Sequence, residues 1–187
     1  MRITLLIGAV LAWSTVASAQ TKYGGTWHPR PTIGVAAGGF KAITRNGTTT
    51  PMVSGTVEVP FSDKVRIRIE AARTTLPIVP EGAFDSSSRT DTAHIERLSL
   101  SLARVNGAGE FVSGYIGAGV GLHRATFDRA PKSGVSADLY VAGGAELLLS
   151  KRLTFDAELG LHGFRDDPWY HRNLITGETL FRLKLAL

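Results

Sequence analysis

The residues of this chain that could bind a metal or transfer protons are histidines and aspartates near the ends of alternating polar and apolar segments. His123 and His162 have the same parity in their segments, and Asp128, Asp166 and Asp167 are nearby in the sequence. Such a cluster could hold a metal ion or activate a hydroxyl for attack on an ester. The chain has no His-x-x-x-His or His-x-His spacing, and we identify no serine paired with a histidine. We therefore predict histidines of a polar network or an interface, with no catalytic residue, no metal site and no cofactor.

Charged residues form a second pattern, in which they alternate with apolar residues over short segments. Between Lys64 and Ala71, the side chains of Arg66, Arg68 and Glu70 share one face of an extended strand, and the apolar residues share the other. Applying this parity to the other segments gives eleven charged residues that we predict to form an interior charge network: Glu58, Arg66, Arg68, Glu70, Arg97, Asp138, Glu146, Asp156, Glu158, Arg182 and Lys184. Five are basic and six are acidic, so they can neutralise one another where water is excluded.

Alternation of this kind recurs in eight segments, and no apolar run after Ala19 is long enough for a helix that spans a membrane. The predicted strands cover residues 32–41, 52–61, 64–74, 93–104, 111–124, 135–149, 152–164 and 176–187. Long connections at 42–51, 75–92, 125–134 and 165–175 alternate with short ones at 62–63, 105–110 and 150–151. The Asp and Asn-Gly residues in two of the short connections are typical of tight hairpin turns. An up-and-down antiparallel arrangement with long loops at one end is typical of a transmembrane β-barrel.

In these features the chain resembles the OmpA/OmpX-like family of small eight-stranded outer-membrane barrels. The resemblance covers the chain from residue 20 onwards and includes the last strand, in which Phe181, Leu183 and Leu185 oppose Arg182 and Lys184. The final residue is a leucine, where members of the family usually have an aromatic residue. The resemblance implies an all-β, eight-stranded antiparallel barrel whose interior is plugged by a salt-bridge network and leaves no wide pore.

The N-terminal residues predict export. Arg2, an apolar stretch at 3–12 and the small-x-small site Ala17-Ser18-Ala19 have the layout of a signal peptide covering residues 1–19. Residues 20–187 would then form a single barrel domain, which has no cysteine and hence no disulfide. The formal net charge is +5, but the basic residues do not gather in a patch, so we predict no nucleic-acid binding.

We predict an outer-membrane protein with a structural, adhesion or surface-interaction role that is not an enzyme. Its partners would be outer-membrane lipid and a surface ligand held by loops 75–92 and 165–175, because loops on a rigid scaffold commonly carry binding sites. Three further functions stay open. They are a barrel enzyme that modifies lipid A or phospholipid through His123 and His162, a narrow channel, and a soluble periplasmic barrel that binds a ligand. Alternation alone leaves the last one open because either face of a sheet could be the inner one.

Overall fold

Eight antiparallel strands make up the fold in the computed structural model, which describes residues 30–43, 49–78, 91–106, 111–128, 134–164 and 174–187. The strands are β1 (Thr32–Ala42), β2 (Thr50–Ser62), β3 (Val65–Ile78), β4 (Asp91–Asn106), β5 (Val112–Phe127), β6 (Gly134–Leu148), β7 (Leu153–Phe164) and β8 (Leu174–Ala186). The predicted signal peptide lies outside the described residues. In the described part of the chain, no helix has the length and apolar character needed to cross a membrane.

The strands close into a barrel because β8 pairs with β1, while every other strand pairs with the next one in the sequence. The closing ladder runs from Thr32 opposite Ala186 to Ala42 opposite Thr176. The eight-stranded, up-and-down barrel predicted from the sequence is therefore confirmed. We call the end that carries the short connections after β2, β4 and β6 the turn end, and the opposite end the loop end.

The largest difference from the predicted boundaries is at the end of β3. This strand continues to Ile78 instead of ending at residue 74, and β4 begins at Asp91, opposite it. The extension follows the alternation of the sequence, because Leu76 is still a buried inward residue. The connection between β3 and β4 is accordingly shorter than the predicted segment 75–92.

The two faces of the barrel wall carry opposite residue types. Along β2, every second residue from Thr50 to Glu58 is buried, and most of the buried residues of the described chain are charged, hydroxyl-bearing or histidine side chains. Twenty-four large apolar side chains of the described residues are exposed on the outer surface, among them Val135 at 68% and Leu139 at 71%. The polar face of each strand is therefore the inner one.

The inward residues at the loop end also include an apolar cluster. Phe40, Met52, Leu76, Ile95 and Leu180 belong to one buried cluster contributed by β1, β2, β3, β4 and β8. A cavity lined in part by three of them has a volume of about 10 Å³, which is no more than one water molecule requires. Side chains thus fill this part of the barrel.

Close contact between β1 and β8 at Gly38 allows a test of barrel closure. A Cβ atom on Gly38 would lie 1.8 Å from the carbonyl oxygen of Thr179, so we expect Gly38→Ala to lower the free energy of unfolding by about 1–3 kcal/mol through overpacking. The matched control is Gly163→Ala, because a Cβ there would meet nothing within 4 Å. Urea unfolding of the folded protein in detergent micelles measures both variants. Equal stability of the two would contradict the expected clash.

Candidate functional site

The barrel interior is the candidate functional site because it gathers charged side chains from six of the eight strands. All eleven charged residues selected from the sequence lie on the inner face, and each is at most 5% exposed. The interior of an eight-stranded barrel is only wide enough for side chains to fill it. These groups must therefore satisfy one another's charges and hydrogen bonds, and their contacts can be followed from the turn end to the loop end.

At the turn end, Lys184 lies among three carboxylates. Its Nζ atom is 3.2 Å from Glu58 Oε2 and 3.4 Å from Asp156 Oδ2, and it also contacts Glu146. Arg66 donates two parallel hydrogen bonds to Glu146, of 2.7 and 2.9 Å, and a third of 3.1 Å to Glu58. Paired charge-assisted bonds of this kind are stronger than hydrogen bonds between neutral groups. Each carboxylate at this end therefore has a positive group against it.

In the middle of the barrel, Glu158 accepts hydrogen bonds from two tyrosines and an arginine. The hydroxyls of Tyr115 and Tyr140 donate to it at 2.5 and 2.8 Å, and Arg68 contacts it directly. Arg68 also donates from Nε to Glu58 at 2.7 Å, which joins this level to the turn end. Because a carboxylate has about four lone-pair sites, these donors occupy most of the acceptor capacity of Glu158.

Arg182 and Arg97 carry the network towards the loop end. Arg182 donates to Asp156 at 2.7 Å, to Glu158 at 3.3 Å and to Glu70 at 2.6 Å. The other oxygen of Glu70 contacts Arg97 on β4. Glu70 therefore lies between two guanidinium groups from strands that are far apart in the sequence, and it links the middle level to the next one.

At the loop end, the network finishes in two histidines. Arg97 is hydrogen-bonded to Glu178, and Glu178 Oε1 lies 3.2 Å from His162 Nε2. The Nδ1 atom of His162 contacts Asp138 Oδ2, while His123 Nε2 is 3.2 Å from Asp138 Oδ1. Asp138 therefore bridges the two imidazoles that share inward parity in the sequence.

The structure adds inward residues that the sequence analysis did not select. Glu178 has the same parity as Arg182 on β8, and Tyr140 has the same parity as Asp138 on β6. Tyr115 has the same parity as the inward glycines of β5. The alternation therefore contained the signal for these side chains. The two tyrosines were missed because only charged residues were considered, and Glu178 was missed because it lies near the beginning of its strand.

The aspartates that the sequence placed near the histidines have other positions. Asp128 lies outside the barrel, where its Oδ1 is 2.8 Å from Nε2 of His94, and both side chains are partly exposed. Asp166 and Asp167 fall outside the described residues. The aspartate that meets His123 and His162 is Asp138, which is distant from both in the sequence but lies on the strand between theirs.

The central position of Glu158 predicts a large effect of its replacement. Glu158→Gln removes the negative charge that faces Arg68 and Arg182, and we expect it to lower the free energy of unfolding by about 3–5 kcal/mol because buried cations are left uncompensated. The control is Glu96→Gln, since Glu96 is exposed on the outer face and exposed pairs contribute about 1 kcal/mol or less. Urea unfolding in micelles compares the two. A loss below about 1 kcal/mol for Glu158→Gln would show that the network does not stabilise the barrel.

Comparison with known proteins gives no match to a protein-family model and none to a curated sequence, but solved structures match well. Neisserial surface protein A is 13% identical, with 84% of this chain and 96% of that chain covered and a TM-score of 0.64. OprG from Pseudomonas aeruginosa is 15% identical, covering 84% of this chain and 97% of the other, with a TM-score of 0.55. Ail of Yersinia pestis, in complex with the heparin analogue sucrose octasulfate, is 15% identical, covering 83% and 97%, with a TM-score of 0.50.

At identities of 13–15%, the likeness concerns the fold alone. These neighbours are small eight-stranded outer-membrane β-barrels, and this chain has the same closed, all-antiparallel architecture.

Proposed function

We propose that this protein is embedded in the outer membrane of a Gram-negative-type bacterium and acts by binding at the cell surface, without catalysis. The observation that carries the proposal is the inverted polarity of the barrel wall, which is charged inside and apolar outside. A barrel in water buries its apolar face, whereas a membrane barrel turns that face towards lipid. The twenty-four exposed apolar side chains would each gain on the order of 1 kcal/mol from removal from water.

The height of the outer apolar surface supports the same proposal. On β4, the outward leucines lie between two exposed charged residues, Glu96 and Arg104. Their separation corresponds to about 27 Å along a strand, or about 21 Å along the barrel axis at a tilt of about 40°. Outer-membrane barrels carry an apolar band of about 25 Å. At the turn end, Phe61 and Phe111 are exposed by 74% and 64%, as expected of aromatic residues at a membrane interface.

Cell fractionation tests the location. We expect the full-length chain, expressed in a Gram-negative host, to be recovered in the outer membrane and to migrate differently on gels before and after boiling, because a closed barrel resists detergent until heated. Recovery from the periplasm without detergent would contradict the proposal and would favour a soluble barrel that binds a ligand.

A pair of substitutions controls for general loss of folding. Leu100 lies midway between Glu96 and Arg104, so Leu100→Arg would place a charge in the centre of the bilayer at a cost of about 2–4 kcal/mol. Val135→Arg is the matched control, because Val135 is the second residue of β6 at the loop end, where the cost falls to about 0–1 kcal/mol. Equal assembly of both variants would contradict the membrane orientation.

The interior and the outer face also bear on a channel function and on a lipid-modifying enzyme. Ion pairs and apolar side chains fill the described interior, which argues against a channel for solutes.

One observation favours the enzyme, namely the His94–Asp128 pair on the outer face at the loop end, since an imidazole oriented by a carboxylate is the arrangement of a general base. Release of acyl chains from lipid A by the wild-type protein, lost in His94→Gln, would establish that second candidate.

The charge of the outer surface supports an anionic partner. Among the described residues, eight arginine or lysine residues and three acidic residues are exposed, which gives them a formal charge of +5. At the loop end, Lys41, Arg73 and Arg124 are exposed on the outer face together with the acidic Glu96 and Asp128. Glu96 lies opposite both arginines in the strand ladders. We infer that this rim, together with the connections at 79–90 and 165–173, which lie outside the described residues, binds a polyanion. Ail, which shares the fold, was solved with a sulfated ligand.

Binding of sucrose octasulfate tests the surface role. We expect the double substitution Arg73→Gln and Arg124→Gln to weaken binding about tenfold and to reduce its dependence on salt, because two charged contacts are lost. Arg104→Gln is the matched control, since this arginine is also exposed but lies at the turn end. Titration calorimetry on the folded barrel measures all three proteins. An equal loss in the control would mean that binding follows net charge and not the loop-end rim.

A further inference from the structure

We propose that the loop end of the barrel interior is a binding site for a divalent transition-metal ion, with His123, Asp138 and His162 as its ligands. The three residues lie on β5, β6 and β7 and are each at most 4% exposed. One potential ligand atom from each lies within 4.8 Å of those of the other two. Two imidazoles and a carboxylate are a donor set that zinc sites use.

The separation between His123 and Asp138 suits a tetrahedral ion. His123 Nε2 and Asp138 Oδ1 are 3.2 Å apart, close to the roughly 3.3 Å that separates two ligand atoms when each metal bond is about 2.0–2.1 Å. The backbone also makes room for the carboxylate. A Cβ atom on Gly121, which pairs with Asp138, would lie 2.1 Å from Asp138 Oδ1, so the glycine leaves room over β5 for the carboxylate oxygen that faces His123.

A carboxylate stands behind one of the ligands, as in many metal sites. His162 would bind the ion through Nδ1, and its other ring nitrogen, Nε2, lies 3.2 Å from Glu178 Oε1. Ligating histidines usually donate this second N–H to a carboxylate, which fixes the ring and raises its basicity. Glu178 is itself held by Arg97. The outer support of the site is therefore present in the ion network.

Arg97 also affects which nitrogen of His162 carries the ring proton with and without a bound metal ion. Its Nη1 lies 2.8 Å from His162 Nε2. Because a guanidinium only donates, a neutral, metal-free His162 would accept at Nε2 and have its ring proton on Nδ1, facing Asp138. A metal ion on Nδ1 would require the proton to be on Nε2, where it can donate to Glu178, and Arg97 would then have to give up its contact with that nitrogen, because both groups would be donors. Metal binding would thus change the tautomer of His162 without changing the number of protons on the ring.

The charge balance of the interior points to a dication. Among the described buried residues, seven carboxylates face five arginine and lysine side chains, which leaves a formal charge of −2. At the turn end and in the middle, four carboxylates meet four cations: Glu58, Glu146, Asp156 and Glu158 against Arg66, Arg68, Arg182 and Lys184. The deficit is therefore at the loop end, where Arg97 is the one described cation that remains for three carboxylates. Arg97 contacts Glu70 and Glu178, whereas Asp138 contacts the two histidines. One divalent ion would cancel the deficit. Two protonated imidazoles are the other species that would do so, and the experiment separates them.

A second group of possible ligands, Glu58, Glu146 and Asp156, does not qualify. These carboxylates also lie within 4.8 Å of one another, but the ammonium group of Lys184 is in contact with all three. The place of a cation is already filled there by a lysine.

Two buried hydroxyls next to the proposed site have no hydrogen-bond partner among the described residues. Ser136 is directly opposite His123 in the β5–β6 ladder, and Thr176 is opposite His162 in the β7–β8 ladder. Both oxygens are buried without a partner, and the two residues are 9% and 1% exposed. A buried hydroxyl without a partner is costly, and a water molecule bound to the metal as its fourth ligand would satisfy such groups.

The donor set decides the class of metal. Imidazole nitrogens favour zinc, copper, nickel and cobalt, whereas calcium and magnesium prefer sites built from oxygen atoms alone. We therefore expect Zn²⁺ or Co²⁺ to bind and Ca²⁺ and Mg²⁺ not to compete at equal concentration.

The first test uses the full-length barrel, expressed without a histidine tag, folded in detergent micelles and stripped of metal with a chelator. Calorimetric titration with Zn²⁺ should give one ion per barrel, and Co²⁺ should give the visible absorption of a tetrahedral site. Nitrogen NMR of the histidine rings should show the proton of His162 move from Nδ1 to Nε2. A folded wild-type barrel that binds no Zn²⁺, or whose two inner rings are both doubly protonated, would overturn the proposal.

Variants then assign the ligands. We expect His162→Gln and Asp138→Asn to weaken Zn²⁺ binding more than 100-fold, and Glu178→Gln to weaken it 10–100-fold with the stoichiometry retained. His94→Gln is the matched control, because His94 also pairs with an aspartate but lies outside the barrel. His28 and His171 lie outside the described residues. A variant with both His28→Gln and His171→Gln should still bind one Zn²⁺ ion. If Asp138→Asn does not fold, the stoichiometry and cobalt spectrum of the wild-type barrel still decide the matter, and binding that survives His162→Gln would refute the assignment.

Discussion

The mutual neutralisation of buried charges is the constraint on which the rest of this structure depends. Removing an isolated charge from water costs several kcal/mol even after relaxation, so each inward carboxylate needs a cation at a fixed distance. The partners are far apart in the chain: Arg66 and Glu146 are separated by 80 residues, Arg97 and Glu178 by 81, and Arg182 and Glu70 by 112. Such pairs form only when all the strands between them are in place. The barrel interior is therefore cooperative in a way that the hydrogen-bond ladders, which join neighbouring strands only, are not.

The same constraint sets the register of every strand. Because side chains alternate with a period of two, a slip of one residue would turn the whole polar set of a strand outwards and its apolar set inwards. On β3, for example, such a slip would move Arg66, Arg68 and Glu70 to the outer surface and leave their partners without charge compensation. A change of register would thus reverse the two faces and break the ion network at the same time. Lipid around the barrel would favour the same register, because it favours an apolar outer face.

The two ends of the barrel differ in both charge and composition. The turn end and the middle have equal numbers of acids and bases, while the loop end combines an acidic interior around Asp138 and Glu178 with basic residues, such as Arg73 and Arg124, on the outer rim. The wall of the barrel separates the acidic interior from these outer arginines, so the two groups do not neutralise each other. The loop end is consequently where we propose that ligands bind, a metal ion within the barrel and a polyanion on the rim.

The sequence by itself determined the eight strands, their order and the shared parity of the inward charges, because a period of two and the length of each connection are local properties. It also contained the signal for Glu178, Tyr115 and Tyr140, which have inward parity. It left open which face was the inner one, because alternation is the same in a soluble and a membrane barrel.

Only the tertiary structure decided which charges meet. Asp138 touches His123 and His162, although Asp128, Asp166 and Asp167 are the aspartates nearest to those histidines in the sequence. The reason is geometric: residues on neighbouring strands meet according to the register and the closure of the barrel, which follow from the balance of all the pairings at once, and no short stretch of sequence contains that balance.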